Sequence, residues 1–521
     1  MVDSYSKAAM GSVLMALQFA SYCILHKMCT IHIMSSSPPE SATPQIKYGL
    51  LVVTLASAGI TVSLAQTLVI PIIGRLPEIF NTTAANASWI ITVTLLVGAV
   101  ATPVMGRLAD MYGKKKMMLI SLVPFILGSV ICAVSVDLIP MIIGRGFQGL
   151  GSGLIPLGIS LMHDLLPREK AGSAIALMSS SMGIGGALGL PLAAAIAQFA
   201  SWRVLFWFTA LVALTVGAVI WKAIPARPRI VRSGGFDYFG ALGLAMGLIA
   251  LLLAVSKGSE WGWRSALTIG LFVAALVILV GWGWFETRQK SPLIDLRTTI
   301  RATVLMTNIA SILIGFTMYG MNLILPQVMQ LPVILGYGLG QSMLQMGIWL
   351  IPMGLGMMLI SNAGAAISAA HGPRVTLTIA GVVIAVGYAL TATVLFTIGN
   401  RTPGGDADNA LILTTLVLFS VCSLVVGIGI GLAFGSMPAL IMGAVPATEK
   451  AAANGFNSLM RSLGTTGSSA VIGAVLAGMM SGGVPTLGGF MTTLIIGCCA
   501  ALVAAVISYF IPTTTTVVEA K

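Results

Sequence analysis

Two stretches gather the residues able to handle charge. The first, MGRLADMYGKKKMM at 105–118, places Arg107, Asp110, Lys114, Lys115 and Lys116 close together in a 521-residue chain with only 27 basic and 15 acidic residues. The second, RGFQGLGSG at 145–153, sets Arg145 three residues before Gln148, on nearly the same face of a helix. An acid among several bases can make and break ion pairs, or cap a neighbouring helix N-terminus. An arginine within an apolar run costs about 2.5–3.5 kcal/mol at the centre of a membrane helix, so it calls for a partner or a wet cavity. Nearer an interface it can snorkel or make a structural bond. Neither stretch offers bond-making chemistry. The four histidines (His26, His32, His163 and His371) lie outside the main apolar runs, and no Ser-His-Asp set, metal-ligand spacing or GxxxxGK(S/T) phosphate loop can be argued. Neither an enzyme nor a cofactor, metal or nucleotide site is expected.

The elements that must hold these residues follow from composition. Hydrophobic residues make up 57% of the chain, charged residues 8%, and the mean hydropathy is +1.00. That little charge cannot cover a water-soluble body of this size. A bilayer is the alternative solvent, and about 20 apolar residues span it as a helix. Continuous rather than alternating runs exclude a barrel. Fourteen runs are read, at roughly 49–73, 88–106, 117–136, 138–162, 171–199, 203–224, 237–256, 265–285, 303–329, 340–364, 374–398, 410–437, 454–480 and 486–511. The expected fold class is an all-α polytopic membrane protein.

Orientation comes from the bases. With the residues before the first run placed in the cytoplasm, 21 of the 27 basic residues fall on that side or at its span ends, Lys450 and Arg461 among them. Five lie opposite (Arg75, Arg203, Lys257, Arg264 and Arg401), and Arg145 is the one base expected inside a span. The bias places both termini in the cytoplasm, in a bacterial-style cytoplasmic membrane, and accounts for the net charge of +12. A nucleic-acid partner would need a basic face on a soluble module, which is not read here. Residues 1–48 read as an N-terminal cytoplasmic segment. Within it, the polar run from Met34 looks like a natural start, so 1–33 is read as an extra helix, a signal-like segment or untranslated sequence. The six cysteines read as small core residues.

The pattern G-R-L-A-D-x-x-G-K-K in the first stretch resembles the signature loop of the major facilitator superfamily between helices two and three. The bland reading of the lysines alone is a positive-inside anchor. The resemblance implies a cytoplasmic latch of Gly106, Arg107, Asp110, Gly113 and Lys114, in which Asp110 and Arg107 help hold two halves together. RGFQGLGSG resembles the family's R-x-x-Q-G-x-G on helix four, which implies proton coupling through Arg145 with Gln148. SSSMGIGGALGLPLAAAIAQ at 179–198 is similar to the helix-five motif of its antiporters. Gly185, Gly189 and Pro191 match, but Leu190 stands where a glycine precedes the proline, and Ala194 and Ala195 replace a glycine pair. Ordinary helix packing is the competing account of that run. Fourteen-span drug exporters also carry an aspartate on helix one. This chain has Ala65 and Gln66 there, and all its acids fall in loops, tails or span ends.

The halves resemble one another weakly. LLVGAVATPVMGRLADMYGKKKMM and GLGMMLISNAGAAISAAHGPRVTL both run from small residues through a glycine turn into a basic flank. Spans 1–6 then match spans 9–14, the layout of the fourteen-span drug:proton antiporter branch. The resemblance implies a six-helix bundle at 49–224, a linker with an inserted helix pair at 225–302, a second bundle at 303–511, and a cytoplasmic tail at 512–521. By analogy the cavity draws on spans 1, 2, 4, 5, 9, 10, 12 and 13, with Gln66, Thr67, Met182, Asn308, Met321, Asn322 and Gln327 as candidates, beside Met318 and Met346. The 29 methionines suit a re-packing, loosely specific pocket. The expected function is export of small amphipathic compounds against protons by a monomer, with the proton gradient as the energy source. The alternatives are an importer (uniporter or proton symporter) of a neutral metabolite, or a lipid-moving protein in which the inserted pair widens a lateral opening.

Overall fold

The computed structural model describes residues 48–69, 72, 76–225, 235–289, 291–399 and 409–512. The expectations for residues 1–33, the tail beyond 512 and the basic residues of 226–234 lie outside them. The described chain is almost wholly helical. Fourteen long helices follow one another: α1 (Tyr48–Thr67), α2 (Ala84–Tyr112), α3 (Lys114–Val134), α4 (Leu138–Leu165), α5 (Arg168–Phe199), α6 (Arg203–Ala223), α7 (Tyr238–Trp261), α8 (Ala266–Glu286), α9 (Ala302–Gln330), α10 (Met343–His371), α11 (Pro373–Gly399), α12 (Asn409–Ala444), α13 (Lys450–Gly478) and α14 (Leu487–Tyr509). In a bilayer each span must satisfy its own backbone, and these helices do so.

Local chemistry sets their ends. Thr83, Ser265 and Thr486 cap the starts of α2, α8 and α14 by accepting a backbone N–H three residues on, and Ser342 with Gln345 forms a capping box at α10. Gly113 (φ 100°) and Gly372 (φ 88°) turn the chain within one residue from α2 into α3 and from α10 into α11. Other residues rarely adopt that conformation. Within α4, a 3-10 turn at Leu150–Gly153 joins Leu138–Gly149 to Leu154–Leu165.

Among the described residues, twelve of these helices are long and apolar enough to cross a membrane; α5 and α13 are the two outside that set. On α13 the reason is a polar face carrying Asn454, Asn457, Arg461, Thr466 and Ser468, all buried against neighbouring helices rather than turned to lipid. Sequence reading set Arg461 with the loop bases and made Arg145 the sole intramembrane one; Arg461 in fact lies buried, well inside α13. Lys257 is likewise buried on α7, where it reaches Ser88 and pairs with Glu260 at 2.8 Å, rather than lying in an outer loop.

Two cores organise the molecule. One draws on α1, α3, α4, α5 and α6, the other on α9 to α12 and α14, and the two halves meet where α2 packs on α13 and α5 on α10. The pair α7–α8 sits outside both. Leu244, Leu248 and Leu252 of α7, Trp282 of α8, and Leu293 and Ile294 beyond it pack with Ala99 of α2 and Leu459 of α13, so the pair covers the α2/α13 seam. The outer face of α8 exposes Leu276, Val277 and Val280, as a lipid-facing helix would.

Candidate functional site

The end of α2 is built to meet α13. The Asp110 carboxylate accepts the backbone N–H groups of Ala451 (3.3 Å) and Ala452 (3.0 Å). These are free donors of the first turn of α13, where the helix dipole also favours a negative charge. Gly106 lets the backbones approach: a Cβ there would stand 2.6 Å from the carbonyl oxygen of Ala451. Gly455 does the same from α13, at 2.9 Å from the oxygen of Thr102. Buried Arg107 lines a cavity of about 20 Å³ with Asp295, Thr298, Glu449 and Ala452, and Thr298 Oγ1 donates to Glu449 at 3.3 Å. Of the expected latch residues, Gly106 and Asp110 touch the other half directly. Lys114 does not, pairing instead with Asp164 of α4 in its own half. Lys115 donates to the carbonyls of Trp221 (2.8 Å) and Ile224, closing the C-terminus of α6. Gly113 makes the turn.

Arg145 is 1% exposed and crosses three helices. Its Nε donates to the carbonyl of Ile90 on α2 (3.2 Å), and its Nη1 to the carbonyl of Ala65 on α1 (2.9 Å) and to Gln148 Oε1 (2.7 Å). Gln148 Nε2 then donates to Ser129 Oγ of α3 (2.8 Å). The pair thus binds α1 to α4 through neutral acceptors; no carboxylate stands at ion-pair distance among the described residues. Close packing makes this possible. A Cβ on Gly144 or Gly149 would press on the backbone of α3 or α2.

A cavity of about 380 Å³ opens between the halves at the ends of the helices remote from Asp110. Its walls are Gln66 and Thr67 of α1, Ile91 and Leu95 of α2, Gly183 and Gly186 of α5, Tyr319, Asn322 and Gln327 of α9, and Met343, Met346, Met353 and Met357 of α10, with Met318 beside them. Among the described residues no lining residue is charged. Such a surface offers amide and hydroxyl groups in an adaptable thioether wall. Gln66, Thr67, Asn322 and Gln327 of the sequence-based set line it. Asn308 and Met321 do not: both are buried, Asn308 bonding to Asn457 (2.9 Å) and Met321 packing in the second core. One helical turn too low, or a rotation to the far side of α9, removes a residue from the wall. The side chain of Met182 lies outside the described residues. Among the described residues the lining comes from five helices, with none from α4, α12 or α13.

Over residues 55–235 and 232–468 the chain matches the model of the Major Facilitator Superfamily. It belongs to that superfamily. Among similar proteins of the superfamily is multidrug resistance protein 3 of Bacillus subtilis, 26% identical over 85% of this chain and 81% of its own length. The multidrug transporter protein MdtP of the same organism is 23% identical over 85% of this chain and 77% of its length. An uncharacterized transporter of the superfamily from Mycobacterium tuberculosis is 28% identical over 61% of this chain, and there the match spans only 45% of the relative's length. The human organic anion transporter MFSD10 superposes with a TM-score of 0.61 at 17% identity, covering 89% of this chain and all of that one, a likeness of fold.

The helix-five run does two packing tasks. Gly185 and Gly189 admit Ser63 and Thr67 of α1, and Thr67 Oγ1 donates to the carbonyl of Gly185 at 3.3 Å. Pro191 faces the other half, with Gly347 of α10 against its ring nitrogen. Sequence reading missed Tyr319, Met343, Met353 and Met357 in the wall. The run M-x-x-M-x-x-x-x-x-x-M-x-x-x-M at 343–357 carries a helical spacing that could have found three of them.

Proposed function

We propose that this transporter exports small amphipathic compounds in exchange for protons, by alternating access. The observation that carries the reading is the uncharged, methionine-rich cavity of about 380 Å³ standing open between halves whose opposite ends are closed by the Asp110 contact. That is the form of a carrier facing away from its latch. With the latch end in the cytoplasm, as the basic residues favour, the cavity faces outward, the side to which an exporter delivers. The relatives named multidrug resistance protein and multidrug transporter support the same substrate breadth. In this reading both termini are cytoplasmic, the protein works as a monomer in the cell membrane, and the energy is the proton gradient, about 2.3 kcal/mol per charge per 100 mV from the potential alone. Gly106, Arg107 and Asp110 form the latch, and Arg145 with Gln148 is the coupling candidate. The lipid-moving alternative is disfavoured by the packing of α7, which covers the α2/α13 seam rather than widening it.

The test uses inside-out vesicles with an acidic lumen and amphipathic dyes of differing charge. Wild-type protein is expected to accumulate at least one dye in a manner abolished by an uncoupler. Asn322→Leu with Gln327→Leu, which strip the amides from the wall, should lower that rate at least tenfold at unchanged protein level. Dye movement indifferent to the uncoupler across the whole panel would overturn proton-driven export.

A further inference from the structure

Arg145 and Arg461, both buried within long helices, are not equivalent. Arginine has five N–H donors. Arg145 spends three bonds on Ile90, Ala65 and Gln148, so its charge is dispersed into helix carbonyls and an amide. Arg461 makes one hydrogen bond among the described residues, from Nη2 to Ser458 Oγ at 3.2 Å, and its guanidinium lies 4.6 Å from the ring centre of Phe434 on α12. A ring face attracts a cation but leaves the in-plane N–H groups unused. Among the described residues no acidic residue pairs with it. It is 6% exposed where Arg145 is 1% exposed.

Around it stand further donors in search of acceptors. Asn454, Asn457, Ser458 and Arg461 recur at helical spacing along one face of α13. Asn457 Nδ2 donates to Asn308 Oδ1 (2.9 Å) and to Ser311 Oγ (2.7 Å) on α9. That leaves Asn308 Nδ2 and Asn454 Nδ2 buried without hydrogen-bond acceptors, in residues only 3% exposed. Leaving such donors unsatisfied is costly in a low-dielectric interior, so each calls for an explanation, and a ligand that supplies the acceptors is one. The place is also apt. The backbone of Arg461 lies against Gly315 of α9, one helical turn below Met318 and Tyr319 of the cavity wall. The closed contact of Gly455 with Thr102 and Pro103 seals it from the latch end.

We propose that Arg461, Asn308, Asn454 and Asn457 form a binding site for the anionic group of the transported compound, which makes amphipathic organic anions the preferred substrates. The site rests on the export reading above and adds to it a charge preference. A cation with amide donors beside it and no acidic partner among the described residues complements a carboxylate or sulfonate. The same surroundings repel a cationic dye. When the α2/α13 contact opens, this face of α13 is the part of the second half that becomes reachable from the latch side. The anion then binds there, with its apolar body directed towards the methionine wall.

The experiment compares fluorescein, an anion, with rhodamine 6G, a cation built on the same xanthene ring, in proteoliposomes and in thermal unfolding of the full chain in detergent. Wild-type protein should move fluorescein at least fivefold faster than rhodamine 6G, and fluorescein should raise its unfolding temperature. Arg461→Gln should lose at least tenfold in fluorescein transport and lose the thermal shift, while its rhodamine 6G rate changes less than twofold. Arg461→Lys should recover part of the anion rate. Wild type that moves rhodamine 6G alone, or Arg461→Gln that slows both dyes equally, overturns the anion site and leaves the export reading intact. If neither dye moves, export of such compounds fails and the unfolding experiment alone decides: a fluorescein shift in wild type that is absent from Arg461→Gln supports the site, and no shift overturns it. A shift of equal size from chloride against gluconate would assign the site to an inorganic ion and overturn the substrate claim.

Discussion

At Gly113 and again at Gly372 the chain leaves one long helix and enters the next through a single residue of positive φ. Aligned on those two glycines, the halves place Ala365, Ala366 and Ala369 of α10 where α2 has Gly106, Arg107 and Asp110. The two seams between halves are thereby the same turn dressed differently. In the α2/α13 seam a carboxylate meets two backbone N–H groups, and a glycine brings one backbone against another. In the α5/α10 seam Gly172 faces Ala365 across an ordinary apolar contact, 3.9 Å from an added Cβ to the Ala365 methyl. Hydrogen bonds to an ion are directional and fail over a small displacement. Dispersion contacts between small groups carry no such geometry. At the latch end the first seam therefore defines a discrete closed state and the second tolerates sliding; nearer the cavity the α5/α10 seam is close-packed as well, with Gly347 against the backbone of Pro191 and Gly183 against Met357. The inserted pair α7–α8 packs on the first seam as well, adding apolar contacts to the junction that has to be reopened.

The sharpest way to break this contrast is Gly106→Val. Its side chain would have to enter space held by the backbone of Ala451 and Ala452. The closed state should be lost, with dye transport falling at least fiftyfold and Ala452→Cys becoming labelled by a membrane-impermeant thiol reagent added from the latch side. Transport within a fewfold of wild type would show that the helices separate there at no cost. Asp110→Asn should act in the same direction but less. It keeps one acceptor while removing the charge–dipole attraction, worth about 0.3–1 kcal/mol at an exposed helix end and up to roughly 2 kcal/mol when partly buried. A three- to tenfold rise in labelling at the same cysteine is expected, with transport reduced by a similar factor. Asp110→Asn with Ala369→Asp would not restore the rate, because the second seam presents no matching contact to a new acid.

Much of this is legible in the sequence alone. The apolar runs are long and continuous, so helix positions follow from periodicity and length, and Asp110 advertises its task by standing among bases at the end of one such run. What escaped was rotation about the helix axis. Asn322 and Gln327 line the cavity while Asn308 and Met321, on the same helix, do not, and nothing in a nearly uniform apolar stretch says which face a neighbour will cover. The amphipathic contrast that fixes helix orientation in water is weak when both surroundings are apolar. Arg461 was misplaced for a related reason. A base eleven residues into a polar-faced helix reads like part of a cytoplasmic loop, and only packing against α9 and α12 reveals it as interior. Lys114 shows the reverse: its place in the signature suggested a contact between halves, whereas its short reach towards α4 ends on Asp164.

The smallest expected effect belongs to the second seam, and it is the most discriminating. Gly172→Ala adds a methyl group at ordinary van der Waals distance from Ala365, on an exposed position of α5. In a helix interior, alanine is favoured over glycine by about 0.8–1.0 kcal/mol, and the new contact adds a little dispersion. If the α5/α10 seam slides, the substitution should leave dye transport within twofold of wild type while raising the unfolding temperature slightly. Gly106→Ala, the identical chemical change at the pseudo-equivalent junction, should lower transport at least tenfold, because its methyl would meet a carbonyl oxygen at 2.6 Å. Equal losses from the two alanines would mean that both seams are held by close approach at the latch end, and the distinction between a directional closure and a sliding one there would fall. A loss at Gly172 alone would reverse the assignment and make the small-residue seam the one that defines the closed state.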